Sequence, residues 1–324
     1  MSPSHRIKAT RTGKRPAKIN QENIGAPAWP SYTGTSQLVG TSPSGRVTVY
    51  FDPSLGQQAL ENAQDLLNDA DRVVTDNDGI FGTTGGAVNV IVFALGGATD
   101  GTGGADHMAC DYTTGNNIEV DASYGNSSRV SGLFEAELSE CSMNGNLCGE
   151  STGEALSRWC AAVVSNNALS DFATAPQWVQ DGEADWVDKI DPTDQDADSI
   201  GCGMAFLSWL MSTGYALDKI APAMVSLGDS GTLAQLYAKL TGNSATNAWS
   251  KFQTAIQALP NGVTSDDPFN AFTAAAAAIP ATIPAQLAAG TTETQARKVA
   301  AAPTAPKSVC QPKSHRLLPP NKSR

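Results

Sequence analysis

The stretch Leu133-Phe134-Glu135-Ala136-Glu137-Leu138-Ser139-Glu140-Cys141 decides how the chain is read. Val130, Phe134, Leu138 and Cys141 recur at steps of three and four residues, which marks one face of an α-helix. Glu137 and Glu140 are three apart, so they project on the same side of that helix, beside its apolar stripe. Glu135 lies about 200° round the helix from Glu137 at 3.6 residues per turn, and is expected to face solvent. Two carboxylates next to an apolar stripe fit either the wet edge of an amphipathic helix or a polar cleft built against it. The rest of the chain has to choose between them.

On both sides of this helix the chain changes character. Residues 1–44 are polar, basic and rich in Pro, Ser, Gly and Thr without periodicity, and read as a disordered basic tail. Arg46 to Phe51 alternates Val47, Val49 and Phe51, as a strand does. Pro53-Ser54 opens a helical segment to about Val74, with Leu60, Ala63, Leu67, Ala70 and Val74 inside. Ala87 to Leu95 is a second, more buried strand. A Gly-rich run from Gly96 to Ala109 reads as a wide surface loop; it lacks the G-K-[ST] ending of a phosphate loop. Asn117 to Asp121 is a short strand, and Ser127-Ser128 caps the central helix.

Beyond that helix the pattern stays helical: Glu150 to Val164, Ala175 to Lys189, Ile200 to Met211, then shorter helices over Leu217 to Ser226, Leu233 to Leu240 and Ala248 to Leu259. From residue 266 to 324 the chain is Ala/Pro-rich and then basic, with at most an Ala-rich helix near Phe272 to Ala278. No internal repeat is visible. Strands and helices are segregated along the chain, so the class is α+β. One domain is expected at residues 45–265, with a small mixed sheet followed by a helical half.

Charge and cysteine usage narrow the function. The formal net charge is −11, yet residues 1–25 hold six Lys/Arg and one acid, and residues 296–324 hold seven Lys/Arg and no acid. The span between carries eight basic residues against 31 carboxylates, a net of about −23. Such a core repels nucleic acid and attracts cations. No apolar run approaches the roughly 20 residues of a membrane span, and the N-terminus lacks the apolar core of a secretory signal. Cysteines and an Asn/Gly/Ser/Thr-rich composition nevertheless favour an extracellular or cell-surface location. Cys141 with Cys148 could close a short loop and Cys160 with Cys202 could tie two helices, although sequence does not fix the pairs. No C-x-x-C pair suggests a thiolate metal knuckle.

Two segments together carry a resemblance. Ala136-Glu137-Leu138-Ser139-Glu140 stands where a helix after a mixed sheet would bear H-E-x-x-H. Gln180-Asp181-Gly182-Glu183-Ala184-Asp185-Trp186-Val187 resembles a later segment of the form E-G-x-A-D-Y-V, followed by Phe206, Leu207, Trp209 and Leu210 in an F-L-x-W-L pattern. Over about residues 45–260 the chain looks like the zincin fold, specifically the Glu-zincin metallopeptidases and the basic secretory protein family. The resemblance places Glu137 where a general base activates metal-bound water. It puts Glu140 in place of the second His ligand, Ala136 in place of the first, and Asp181 in place of the ligand acid. Glu154, in Gly153-Glu154-Ala155-Leu156-Ser157, is a rival for that last role.

The chain departs from the pattern in its histidines. It has three, His5, His107 and His315, and none is on the central helix. Carboxylates without imidazole suit Ca²⁺ or Mn²⁺ better than Zn²⁺, and His107 could join from the Gly-rich loop. The expected function is therefore a degenerate metallopeptidase-like protein. Its cleft, lined by Glu137, Glu140, Glu154 and Asp181, binds a divalent cation (Ca, Mn or Zn) or has lost peptidase activity; its partner would be a peptide or protein. The alternative is a non-catalytic binding or surface-structural module, and a third is a carboxylate-pair glycoside hydrolase using Glu137. Asp188, Asp191, Asp194, Asp196 and Asp198 read as a solvated acidic turn before the helix at Ile200. They lack the Gly and Glu of an EF-hand.

Overall fold

A computed structural model describes residues 27–278 apart from residues 144 and 146. The basic tail readings before residue 27 and after residue 278, with His5, His315 and Cys310, lie outside the described residues. The described chain is α+β. Its five-stranded sheet runs β1 (Gln37–Thr41), β2 (Val47–Phe51), β3 (Val88–Phe93), β5 (Asn116–Asp121), β4 (Ala105–His107) from edge to edge. β2, β3 and β5 are parallel, and both edge strands are antiparallel to their neighbours.

The parallel strands are built from β-branched residues whose alternation sends one set of side chains to each face. Val47, Val49, Val90, Val92, Ile118 and Val120 are fully buried in the main core. On the opposite face Ile91, Phe93 and Leu95 form a smaller cluster covered by Trp29, Tyr32, Tyr50 and Leu55. Trp29 and Tyr32 of that cover come from residues 27–35, and β1 follows directly; both segments belong to the fold although they were read as tail. The ladder between β1 and β2 is interrupted between Leu38 and Gly40.

Two long helices pack on the main face. α1 (Gln57–Phe81) runs past the expected end at Val74 to a left-handed Gly82, because Asn77, Ile80 and Phe81 still find the core. Its buried side is Ala59, Ala63, Leu66, Ala70 and Val73, whereas Leu60 and Leu67 are only half-buried. α2 (Ser127–Ser142) lies parallel to it: Asp65, Asp69 and Asn77 of α1 meet Ser127, Ser131 and Ser142 of α2 in order.

α3 (Ser151–Val164) packs on α2, and α5 (Ala197–Ser212) packs on α3. α4 (Ala175–Gln180), α7 (Leu233–Thr241) and α8 (Ala248–Gln257) pack against α5, and α6 (Leu217–Val225) packs against α1 and α7. Trp178, Phe206, Trp209, Tyr237 and Phe252 form one aromatic cluster there, with centroid separations of 5.1–5.9 Å. α9 (Phe272–Ala278) falls on the Ala-rich segment expected to be helical. The helix expected over Ala175 to Lys189 stops at Gln180. Gly182 and Glu183 take positive φ values of 107° and 55°, which an α-helix does not accommodate.

The Gly-rich run is a surface loop at its start, where Gly96, Gly97 and Asp100 are exposed, and not along its whole length. Gly101, Gly103, Gly104, Ala105, Asp106 and His107 are buried, and the last three form β4. Glycine is required at 103 because a Cβ there would stand 1.8 Å from the Leu95 carbonyl oxygen. That close approach lets the chain fold back along the edge of β5.

Candidate functional site

α2 starts at Asn126 rather than at Ser127-Ser128. The Asn126 side chain accepts from the Arg129 N–H at 3.1 Å, satisfying one of the first turn's open donors. From Arg129 to Ser142 every residue is buried, so α2 is sheathed on all sides by α1, α3 and the sheet. Both faces of its carboxylate pattern are therefore interior. Glu135, expected in solvent, is 0% exposed, and neither of its oxygens has a hydrogen-bond partner.

Glu137 and Glu140 face β4. Pairing with β5 sets His107 opposite Ile118 and turns the imidazole inward. His107 Nε2 lies 3.2 Å from Glu140 Oε2 and 4.0 Å from Glu137 Oε2. His107 Nδ1 is 3.1 Å from the Ala109 carbonyl oxygen. A carbonyl can only accept, so Nδ1 carries a proton and Nε2 is directed at the two carboxylates. Glu140 Oε1 accepts from Ser157 on α3 at 3.3 Å. Glu137 Oε2 has no hydrogen-bond donor. The three side chains are 1–3% exposed.

Further acids crowd this point. Asp106 on β4, Glu154 on α3 and Asp194 before α5 are also buried. Glu154 is 2.5 Å from Arg158 Nε and is bridged to Glu140 through Ser157. Burial pushes the Glu137 carboxyl well above the ordinary range, and Glu140, Asp106, Glu154 and Asp194 push it the same way. Glu154 is raised to about 8, chiefly by burial, against the pull of Arg158. Five carboxylates with one guanidinium and one imidazole form a strongly anionic interior, which a proton or a cation has to relieve.

The donors fit a small divalent ion. Two ligands each about 2.1 Å from one metal stand roughly 3–4 Å apart, and the His107–Glu140 and His107–Glu137 separations are 3.2 and 4.0 Å. The ligand atoms of all three residues lie within 4.8 Å of one another. One nitrogen with carboxylate oxygens suits Zn²⁺ or Mn²⁺ better than an all-oxygen set would. A carbonyl holding the far ring nitrogen is the usual way a ligand histidine is oriented.

Of the residues singled out from sequence, Glu137, Glu140 and His107 meet, and Glu154 flanks them but is engaged by Arg158. Asp181 does not join. It caps the C-terminus of α4, is exposed, and accepts from Gln177 at 2.6 Å, because the early end of α4 turns it outward. Ala136 is buried and offers no ligand. Asp106 and Asp194 were missed: β4 has only three residues, too few for alternation to show. The acidic turn is solvated in part, with Asp196 capping α5 through the Ser199 N–H at 2.8 Å, but Asp194 points inward.

The disulfide is Cys110–Cys148, next to this cluster. Cys141, Cys160 and Cys202 are free and buried, so neither suggested pair forms. Cys141 is turned into the core, where its sulfur accepts from Asn116 Nδ2 at 2.8 Å. Cys148 reaches the end of β4 instead.

The chain matches no protein-family model and no curated protein.

Proposed function

We propose that this chain is a zincin-like, metallopeptidase-like protein whose ancestral metal position has been rebuilt as a buried cation site from His107, Glu137 and Glu140. The observation that carries this reading is the orientation of His107. Its Nδ1 is fixed on the Ala109 carbonyl, and its Nε2 is aimed between two buried carboxylates. An ion held there would neutralise carboxylates of α2 and tie that helix to β4. Three ligands that are 1–3% exposed leave little room for a peptide at the metal. That burial favours a structural role over hydrolysis, in line with a family resemblance whose histidine ligands have been replaced.

The test is the metal content of protein purified without chelator, by elemental mass spectrometry, for wild type and for the Glu137→Gln/Glu140→Gln variant. About one equivalent of Mn, Zn or Ca in the wild type, lost in the variant, supports the cation site. Absence of metal from both overturns it, and leaves a cluster in which carboxylates and imidazole share protons.

A further inference from the structure

The imidazole that faces Glu137 and Glu140 also faces a disulfide. His107 Nε2 stands 3.6 Å from Cys148 Sγ, and the ligand atoms of His107, Cys110 and Cys148 lie within 4.8 Å of one another. Cys110 and Cys148 are half-buried, so a small reductant can reach the bond. Their Cα atoms are 5.9 Å apart and are held by different parts of the fold, the end of β4 and the connection between α2 and α3.

We propose that the Cys110–Cys148 disulfide is a redox switch of metal-site chemistry. In the oxidised chain the donors at His107 are two carboxylates. In the reduced chain two thiolates join the same imidazole nitrogen and form a soft site for Zn²⁺, with a carboxylate of Glu140 or Glu137 in the fourth position.

The reductant is a dithiol. Its two electrons and two protons pass to the sulfurs, the S–S bond breaks, two thiols form, and the dithiol leaves as its own disulfide. Zn²⁺ then displaces the two thiol protons. Thiolate and imidazole together select zinc far more strongly than imidazole with carboxylates does, so the same location changes its preferred ion with redox state. The inference shares His107 with the proposed cation site and otherwise stands on the two sulfurs.

The experiment is a Co²⁺ titration of the full chain, oxidised or reduced with a water-soluble phosphine that is removed before metal is added. Cobalt bound to thiolate gives an intense near-ultraviolet charge-transfer band that carboxylate ligation lacks. The expected result is one equivalent of Co²⁺ with that band in the reduced protein only, displaced by Zn²⁺ and abolished by reoxidation. Cys141, Cys160 and Cys202 are free in both states and cannot produce a band that arises on reduction.

A Cys310→Ser variant keeps the band, and a Cys148→Ser variant loses it. Should Cys148→Ser fail to fold by circular dichroism, the comparison of reduced and oxidised wild type still decides. No band in the reduced wild type, or a band lost in Cys310→Ser, overturns the inference. The Glu137→Gln/Glu140→Gln variant separates the two proposals. It loses metal in the oxidised state if the cation site is right; in the reduced state, if the switch is right, it keeps the band that the two thiolates produce, with water taking the fourth position and Co²⁺ bound more weakly.

Discussion

Glu135 and Glu137 are two residues apart on α2, and the fold treats them differently. Glu137 opens onto an imidazole and other acids, whereas Glu135 faces the seam between α1 and α3 with neither oxygen bonded. Burial drives its carboxyl well above the ordinary range; Asp76 and Asp78 add to the shift and Arg72 opposes it. The folded state therefore holds a proton that the unfolded chain releases above about pH 4.3. Stability from this group is full below that pH and falls as pH rises toward the folded value. Glu135→Leu removes the buried acceptor and should stabilise the protein at pH 7 by about 1–3 kcal/mol. Urea unfolding from pH 4 to 8 checks it: the variant's advantage should widen with pH, and a constant or negative difference would refute the account.

Residue chemistry was legible where spacing carries it. The step of three between Glu137 and Glu140 gave their common face, and the angular offset of Glu135 was correct. What failed was the assumption that the opposite face is wet. A helix sheathed on every side carries no sequence mark when its polar residues lie on the covered face as well.

At the scale of elements, long periodic segments were readable and short ones were not. β2, β3, β5, α2, α3 and α5 to α8 fall on the alternations and helical repeats quoted from sequence. β4 escaped because its position depends on glycines that let the chain double back; Asp106 escaped with it, and His107 was named as a possible ligand but placed on a loop rather than a strand. α4 was overextended because Trp186 and Val187 pack as a helix would pack them, yet they do so after a turn.

The bond from the end of β4 to the connection after α2 fastens the shortest strand to the helix that carries the acids. It closes a loop with a sequence separation of 38. Opening it in the presence of chelator should cost about 3–4 kcal/mol by the chain-entropy relation. Denaturant titrations of reduced and oxidised protein measure that difference, and equal midpoints would mean that β4 is held by its ladder and packing alone.

Across the whole molecule, the second face of the sheet depends on a short strap. Glu119, fully buried on β5, accepts from the Ser31 N–H at 2.9 Å, the Ser31 hydroxyl at 2.7 Å and the Tyr32 N–H at 2.5 Å. Asn117 donates to the Ala28 carbonyl at 2.8 Å from the same face. Polar residues at alternate positions of β5 therefore pin the segment that brings Trp29 and Tyr32 over Ile91 and Phe93. Glu119→Ala should lower stability by about 2–4 kcal/mol, since it removes three charge-assisted bonds and frees the strap. It should also speed chymotryptic cleavage at Tyr32 under native conditions. A variant cut no faster than wild type would place the hold in the aromatic contacts instead.

The interruption in β1 has its own consequence for self-association. The sheet ends on one side at a three-residue strand beside a disulfide, and on the other at β1, where Leu38 is the exposed large hydrophobic among the described residues. An open edge of that kind is where another chain could add a strand and begin a polymer. The irregularity between Leu38 and Gly40 breaks the regular run of groups an incoming strand has to copy. The protein thus keeps a sheet with an accessible border while denying that border the regularity on which fibrils grow.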